Sequence, residues 1–334
     1  MEIINANVKN KNKIIEFIKM CWKKDHIFVK DEKLFDFFHK NSNNNLNFII
    51  AMEGDIIKAI LGFLPYTNEE NADVFTVLWK SIDNSMCGLE CLEYLSEHFK
   101  VSSCGINKKT IPIYNFLEMM NGKLNHYYII NHNIDNFKIA KIKNIYKFEN
   151  INILNENKII VFNSMNDLIK VFEYNNLKKY NFFKSKEYFE KIYFNHPYYK
   201  YEVIGIKNDL DEIKSIMVLR EIKVNDAKCL RIIDFLGDEN CLINIQKWLV
   251  EKLEIHNYEY VDFYQIGIKD EILTKAGFIE RKEDDENIIP NYFEPFEQKN
   301  VEIYYMTSCK EDFRMFKGDG DQDRPSIPKS EVNI

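Results

Sequence analysis

Arginine is scarce in this sequence of 334 residues, and none occurs in its first half. The few arginines are Arg220, Arg231, Arg281, Arg314 and Arg324. Lysine and arginine together number 45 against 52 for aspartate and glutamate, which gives a formal net charge of −7. Binding to nucleic acid or to an acidic membrane surface needs clustered cationic charge. The composition therefore argues against both kinds of partner.

Paired cysteines are also missing. The 7 cysteines include no C-x-x-C pair, and no histidine or cysteine at metal-ligand spacing joins Cys87 and Cys91. We therefore expect free thiols and no zinc site. The tail sequence DGDQD lacks the glutamate that completes a calcium-binding loop, so we expect no bound metal there either.

Targeting segments and long apolar runs are absent as well. The N-terminus has no basic start followed by an apolar segment, and the most apolar stretch, residues 48–64, is interrupted by charged side chains. The sequence therefore predicts neither a signal peptide nor a transmembrane helix. We expect the protein to be cytoplasmic.

The residues that are present predict a folded protein of two domains. Apolar residues make up 46% and charged residues 29% of the chain, as in ordinary globular proteins. A length of 334 residues favours two domains at about 150 residues each. Residues 140–157 are rich in lysine and asparagine without strong periodicity, so we place the boundary there. The predicted domains are residues 1–145 and residues 146–334.

Periodicity predicts the same order of elements in both domains. The first has a hairpin at residues 47–64, turning at Gly54 and Asp55, then a strand, a helix, a strand, a second helix at residues 110–120, and a closing strand near residue 130. The second repeats the order from residue 201 onwards, with a helix at residues 241–255 and a short helix that ends in a left-handed cap at Gly277. Val74 and Val101 in the first domain have a spacing similar to that of Leu230 and Val261 in the second. We expect an α+β fold of mixed, mostly antiparallel sheets flanked by helices, produced by an internal duplication.

This order of elements resembles that of the Gcn5-related N-acetyltransferase family. In that family, backbone amides in the loop after the fourth strand cradle the pyrophosphate of coenzyme A at a helix N-terminus. The resemblance implies an acyl-CoA site at Met86, Cys87, Gly88 and Leu89, with acyl-CoA as a co-substrate and no permanently bound cofactor. Glu90 stands where a second small residue is usual. Alternatively, Gly88 only permits the turn from strand to helix.

A second family pattern places an asparagine after the fifth strand and a tyrosine on the next helix, here Asn107 and Tyr114. The resemblance implies that Tyr114 protonates the departing thiolate, a general-acid step that contributes about 10²- to 10⁴-fold. Asn107 would hold the pantetheine arm or cap the helix. The sequence departs from the pattern afterwards, since Glu118 and Met119 replace the usual Gly-Phe. The alternative for Tyr114 is packing in the core.

The second domain keeps a different part of the family pattern. It has the Gly-Phe pair as Gly277 and Phe278, but Leu273 replaces the tyrosine. Its loop at residues 237–240 is acidic, and acidic side chains repel a diphosphate. We therefore assign acyl-CoA to the first domain and the acyl acceptor to the second.

Two C-terminal stretches, residues 193–201 and 316–325, are similar to those of bacterial N-acyltransferases that modify nucleotide-linked amino sugars. The likeness is strongest to enzymes that transfer an acetyl or 3-hydroxybutanoyl group to a dTDP-linked 3-amino-3,6-dideoxyhexose for O-antigen synthesis. The resemblance implies a nucleotide-sugar site in the second domain, with aromatic rings for stacking and cations for the diphosphate. The candidate residues are His196, Tyr198, Tyr199, Arg231, Lys317 and Arg324. Alternatively, the His196 segment is a hydrophobic hinge.

Two other functions stay open at this point. Aminoacyl-tRNA-dependent transferases that build peptidoglycan bridges also use tandem folds of this type, but they need a basic face that a net charge of −7 does not indicate. A non-catalytic acyl-CoA-binding protein is the other alternative. No general base is assigned, because a sugar amine has a neutral fraction at physiological pH and positioning can supply much of the rate. The sequence predicts neither the oligomeric state nor the acyl chain.

Overall fold

The structure of the chain is a computed structural model that describes residues 1–41, 43–67, 72–82, 86–145 and 158–329. The described strands of the first half are β1 (Glu2–Asn7), β2 (Asn45–Glu53), β3 (Ile56–Pro65), β4 (Asp73–Ser81), β5 (Lys100–Ile106), β6 (Met120–Lys123) and β7 (Asn125–Ile130). The helices of this half are α1 (Lys11–Cys21), α2 (Ile27–Lys30), α3 (Glu32–His39), α4 (Cys87–Ser96) and α5 (Ile111–Phe116). Short 3-10 turns precede α1 at Val8–Asn10 and α5 at Lys108–Thr110.

The second half has the same mixture of elements. Its described strands are β8 (Ile159–Phe162), β9 (Glu202–Lys207), β10 (Ile213–Val224), β11 (Ala227–Gly237), β12 (Tyr260–Ile266), β13 (Ile279–Glu280), β14 (Tyr292–Phe293), β15 (Phe296–Glu297), β16 (Tyr304–Thr307) and β17 (Met315–Phe316). The helices are α6 (Met165–Val171), α7 (Lys186–Phe189), α8 (Gln246–His256) and α9 (Asp270–Lys275). A π-helical turn at Glu190–Phe194 follows α7, and 3-10 turns lie at Tyr174–Lys179 and Glu239–Ile245.

Two large sheets confirm the predicted α+β class and the duplication. The first sheet has the order β1-β2-β3-β4-β5-β16-β6, and the second has the order β13-β7-β12-β11-β10-β9-β8. In each sheet one central pair is parallel, which is β4 with β5 and β11 with β12. Val74 pairs with Val101 and Leu230 with Val261, so the similar spacings in the sequence are equivalent register positions. The other described pairs in both sheets are antiparallel, including the neighbours of these parallel strands.

The two halves exchange strands, and here one prediction is wrong. The strand near residue 130, β7, does not close the first sheet but pairs with β12 in the second. Only Leu124 separates β6 from β7, and one residue cannot reverse the chain, so this extended segment runs from one sheet into the other. In return, β16 from the C-terminal part lies between β5 and β6. Each sheet therefore contains residues from both sides of position 145, and the division at residue 145 stays a prediction.

Two predicted helices have different limits in the structure. The helix predicted over residues 110–120 ends at Phe116, because Glu118 adopts a left-handed φ of 55° and the chain turns into β6. The helix predicted over residues 241–255 begins as a 3-10 turn and becomes α-helical at Gln246. The predicted left-handed cap at Gly277 is confirmed by its φ of +86°.

A hydrophobic core is shared by the two halves. Buried Phe35 and Phe48 of the first half belong to the same cluster as Phe189 and Val203 of the second. A separate cluster packs α4 and Tyr114 against the first sheet. Among the described residues, no helix is long and apolar enough to cross a membrane.

Candidate active site

The first sheet has a gap between its central strands β4 and β5. Their backbone pairing covers only residues 73–75 and 100–102, after which it stops. The register of β4 shifts at Val77, and that of β5 shifts at Gly105, which has a φ of +78°. Bulges of this kind are common beside active sites because they bend a strand and redirect its side chains.

A cavity of about 660 Å³ lies at this gap, and we call it the helix-side cavity. It is lined by the end of β4, the start of α4 and the outer face of α5. The lining is mainly apolar and includes Trp79, Ile82, Met86, Leu89, Ile113 and Phe116. Phe116 is 78% exposed at its rim. Such a surface suits a long, flexible ligand with apolar segments.

The predicted acyl-CoA residues meet at the mouth of this cavity. Met86, Gly88 and Leu89 line it, whereas the Cys87 side chain is buried in the core beside it. Helix α4 begins here without a side-chain cap, so its first amides point to the cavity end of the helix. The indole N–H of Trp79 donates to the carbonyl oxygen of Gly88 at 2.8 Å. Residues 84 and 85 of the predicted loop lie outside the described residues.

Space at Gly88 is limited. A Cβ atom at this position would lie 3.0 Å from Nε1 of Trp79 and 3.4 Å from Cβ of Ser81. Both neighbours line the cavity. A branched side chain at Gly88 would therefore press on the cavity wall.

Tyr114 and Asn107 occupy different environments. Tyr114 is 3% exposed, packs 5.8 Å from the Trp79 ring and does not line the cavity itself. Its hydroxyl is hydrogen-bonded to the side chain of Thr110, which does line it. Burial raises the pKa of Tyr114 to about 12, so the hydroxyl stays protonated. Asn107 is exposed, and its Oδ1 accepts a hydrogen bond from the amide of Lys109 at 3.0 Å. Asn107 therefore caps the 3-10 turn that precedes α5.

The equivalent gap in the second sheet is closed by the chain itself. β17 pairs with β12, and the amide of Gly318 donates to the carbonyl oxygen of Ile233 at 2.8 Å. Ile233 lies at the register shift of β11, the counterpart of Val77 in β4. A Cβ atom on Gly318 would lie 2.7 Å from Cγ2 of Ile233. No room for a ligand remains at this position.

The acidic loop of the second half is also occupied. The guanidinium of Arg314 donates to the carbonyl oxygen of Gly237 at 2.6 Å and to Glu239 at 3.0 Å. This cation of the same chain partly neutralises the acidic loop. The assignment of acyl-CoA to the first half stays a prediction.

A second large cavity, of about 740 Å³, lies beside β10 and the C-terminal segment. Its described lining residues all belong to the second half, and we call it the inter-lobe cavity because the C-terminal segment that lines it also reaches the first sheet. Five of the six predicted acceptor residues line it, namely Tyr198, Tyr199, Arg231, Lys317 and Arg324. Residues that are more than a hundred positions apart in sequence are thus brought together. Tyr292 and Phe293 add further aromatic surface.

His196 is the sixth predicted residue, and it does not line the cavity. Its ring stacks on Tyr199 with a centroid distance of 5.2 Å. Its Nδ1 accepts hydrogen bonds from the amides of Tyr198 and Tyr199 at 3.1 and 2.9 Å. Burial lowers the pKa of His196 to about 4, so the ring is neutral at physiological pH. His196 therefore holds the two tyrosines in place rather than facing a ligand.

The cations of the inter-lobe cavity are not equally available. Arg231 is buried and forms a two-point ion pair with Asp262, at 2.9 and 2.6 Å. Arg324 donates to Asp321 at 2.6 Å. Lys317 differs, because within the described residues it forms no ion pair and donates to the carbonyl oxygen of Gln322 at 2.9 Å. Burial lowers the pKa of Lys317 to about 8.

The carboxylates on the central strands, which are the acidic groups that could act as a general base, are engaged in structural contacts. Asp262 binds Arg231 and the ring of His126, and Asp234 binds Lys184. Asp73 accepts from the amide of Phe182 at 3.0 Å. Gln322 also lines the inter-lobe cavity; it belongs to the family-like stretch at residues 316–325 but was not among the candidate residues. Within the described residues no group of histidine, cysteine or acidic side chains is arranged to hold a metal ion.

Comparison with known proteins identifies the fold of the chain. No protein-family model matches the chain, and no curated protein matches its sequence. A Gcn5-related N-acetyltransferase from Anabaena variabilis has a similar structure, with a TM-score of 0.53 over 92% of this chain and 72% of its own, at 10% identity. The chain has the Gcn5-related N-acetyltransferase fold.

A second neighbour extends this comparison. A conserved protein of unknown function from Enterococcus faecalis aligns over 92% of this chain and 72% of its own, with a TM-score of 0.54 and 7% identity. At such low identities the likeness concerns the fold alone. The expected fold resemblance is confirmed.

Proposed function

We propose that the protein is an acyl-CoA-dependent N-acyltransferase in which the helix-side cavity takes the acyl-CoA and the inter-lobe cavity takes the amine acceptor. The observation that carries this proposal is the difference between the two sheets. The gap beside β4 opens onto a cavity, whereas its counterpart beside β11 is filled by β17 and Gly318. One half is thus built to receive a ligand at this position and the other is not.

The shape and chemistry of the helix-side cavity support acyl-CoA as the donor. Its apolar walls match the pantetheine arm and acyl chain, and the uncapped start of α4 offers amides and a favourable dipole to the diphosphate. Lys80 also lines this cavity and supplies a cation. Glu90 in the first turn of α4 opposes anion binding, so we expect backbone amides and Lys80 to carry the recognition.

The reaction we propose needs no metal or resident cofactor. The acceptor amine attacks the thioester carbon, a C–N bond forms, and the C–S bond breaks as the tetrahedral intermediate collapses. The thiolate of CoA leaves and takes a proton, and the amine loses one, so the products are an amide and free CoA. We assign the acid role to Tyr114, whose protonated hydroxyl is joined to the cavity through Thr110.

The inter-lobe cavity supports a nucleotide-linked amino sugar as the acceptor. Tyr199, Tyr292 and Phe293 offer stacking surfaces for a base or a sugar ring, and Lys317 offers an ammonium that no carboxylate neutralises within the described residues. We propose a dTDP-linked 3-amino-3,6-dideoxyhexose as acceptor and an acetyl or 3-hydroxybutanoyl group as the transferred acyl, within O-antigen biosynthesis.

The test is release of free thiol on mixing the full-length protein with acyl-CoA and an amine. Acetyl-CoA and 3-hydroxybutanoyl-CoA would be combined with a panel of dTDP-amino sugars, and the product mass would be read by mass spectrometry. Thiol release that depends on the amino sugar, with the matching amide mass, is expected. Binding of acyl-CoA without transfer to any amine would instead indicate a non-catalytic acyl-CoA-binding protein.

A further inference from the structure

The C-terminal segment at residues 319–323 crosses from the second half to the gap in the first sheet. Gly320 lies beside β4, since a Cβ atom there would be 3.3 Å from Cγ1 of Val77. The side chain of Gln322 lies over Gly105 of β5, where a Cβ atom would overlap its carboxamide. The segment therefore meets both strands of the gap at the positions of their register shifts.

The carboxamide of Gln322 lies at the meeting point of the C-terminal segment and β5. Gln322 lines the inter-lobe cavity while its side chain covers a strand that borders the gap. Within the described residues its carboxamide has no hydrogen-bond partner. A glycine with positive φ at position 105 gives this group room. A polar group with both a donor and an acceptor thus lies beside the gap of the first sheet, at the edge of the inter-lobe cavity.

The backbone around Gln322 is firmly held. Lys317 donates to its carbonyl oxygen at 2.9 Å. The next residue, Asp323, accepts two hydrogen bonds from Arg220, at 2.9 and 2.6 Å, and one from the hydroxyl of Tyr201 at 3.0 Å. A side chain that projects from a backbone held in this way loses less freedom when it binds a reacting atom. Such preorganisation makes a hydrogen-bond donor effective in catalysis.

We propose that Gln322 is a catalytic residue whose carboxamide contacts the reacting atoms where donor and acceptor meet. This inference rests on the proposed function. As the amine attacks, the thioester oxygen gains negative charge, and the Nε2–H of Gln322 donates to it. The Oε1 accepts a hydrogen bond from the attacking amine and orients its lone pair. Gln322 takes up no proton, so the bonds that form and break are those of the transfer itself.

The test compares Gln322→Met and Gln322→Glu with the wild-type chain, with Gln298→Met as the matched control, because Gln298 is an exposed glutamine that lines neither cavity. Loss of one preorganised donor to an oxyanion typically costs about 10²- to 10³-fold in kcat. We expect both Gln322 variants to lose at least about 100-fold in kcat, with the KM for acyl-CoA within about twofold of the wild type. The control should keep its kcat.

The readouts separate catalysis from folding and from the proposed function. Melting temperature and the affinity for coenzyme A measure folding and donor binding, and neither should change in the Gln322 variants. If the wild-type chain transfers the acyl group and both variants keep its kcat, this inference alone is overturned. It is overturned as well if kcat falls only together with melting temperature and coenzyme A affinity. If the wild type releases no thiol with any amine, the proposed function falls, and this inference falls with it.

Discussion

Lys184 holds the C-terminal segment to β11 through a buried ionic cluster, and its removal should be costly. Its ammonium lies 2.5 Å from Asp234 on β11 and 2.9 Å from Asp319 in the C-terminal segment. The hydroxyls of Tyr193 and Tyr66 each donate to one of these carboxylates at 2.6 Å. All three charged side chains are at most 2% exposed. The cluster thus fixes the segment that closes the second gap.

Replacing Lys184 with methionine keeps most of the volume but leaves two carboxylates buried without a cation. Breaking a buried pair in this way typically costs about 3–5 kcal/mol. Because two carboxylates share this one ammonium, we expect Lys184→Met to lower the free energy of unfolding by that amount at neutral pH. The control Lys310→Met, at an exposed position, should change it by less than about 0.5 kcal/mol.

The loss of unfolding free energy in Lys184→Met should also depend on pH in a definite direction. Burial and the neighbouring Asp234 raise the pKa of Asp319, against the opposing effect of Lys184. A carboxyl group with a raised pKa in the folded state binds its proton more readily there than in the unfolded chain. Protonation therefore favours folding as the pH falls through the raised pKa. The deficit of Lys184→Met should accordingly shrink as the pH is lowered from neutral.

Urea unfolding followed by circular dichroism, at neutral and at mildly acidic pH, measures both effects. Adding Asp319→Asn to Lys184→Met should recover part of the loss, because one of the two unpaired carboxylates is removed. A Lys184→Met protein as stable as the wild type at neutral pH would refute the reasoning. So would a deficit that grows as the pH falls.

The remaining predictions concern the two cavities. Tyr114→Phe should lower kcat by about 10²-fold or more with little change in melting temperature, because only the hydroxyl is lost; unchanged turnover would return Tyr114 to a packing role. Since the pKa of Tyr114 is raised to about 12, loss of this proton should cause no fall in wild-type kcat between about pH 7 and pH 10. Lys317→Met should raise the KM of a diphosphate-linked acceptor by about tenfold or more, because a hydrogen bond to a charged group contributes about 1.5–3 kcal/mol. An unchanged acceptor KM would contradict this role for Lys317.

Local patterns in the sequence were sufficient to predict most strands and helices. Two apolar runs joined by the Gly54 turn give the β2–β3 hairpin, and the pairing of Val74 with Val101 follows from a repeated spacing. The exchange of β7 and β16 could not be predicted in this way. Strand pairing across more than a hundred residues depends on which edge of a sheet is free, and periodicity carries no such information.

The candidate site shows the same division between local and long-range information. Gly88 could be found because a glycine between strand and helix is a local signal. Arg231 was expected to bind an anion, but its partner Asp262 comes from the neighbouring strand and occupies its guanidinium. Lys317 and Gln322 reach the inter-lobe cavity only through the course of the C-terminal segment. Residue type alone could not show that Arg231 is paired with a carboxylate, whereas Lys317 has no such partner among the described residues.

The central claim is that the chain has one acyl-CoA site, beside Gly88, and that the second half is closed by its own C-terminal segment. Calorimetric titration of the full-length protein with coenzyme A measures this directly. One site per chain is predicted, and Gly88→Val should lose it because the branched side chain presses on Trp79. The matched variant Arg314→Ala, in the closed second gap, should keep it. Two sites per chain, or one that survives Gly88→Val and is lost in Arg314→Ala, would contradict the account.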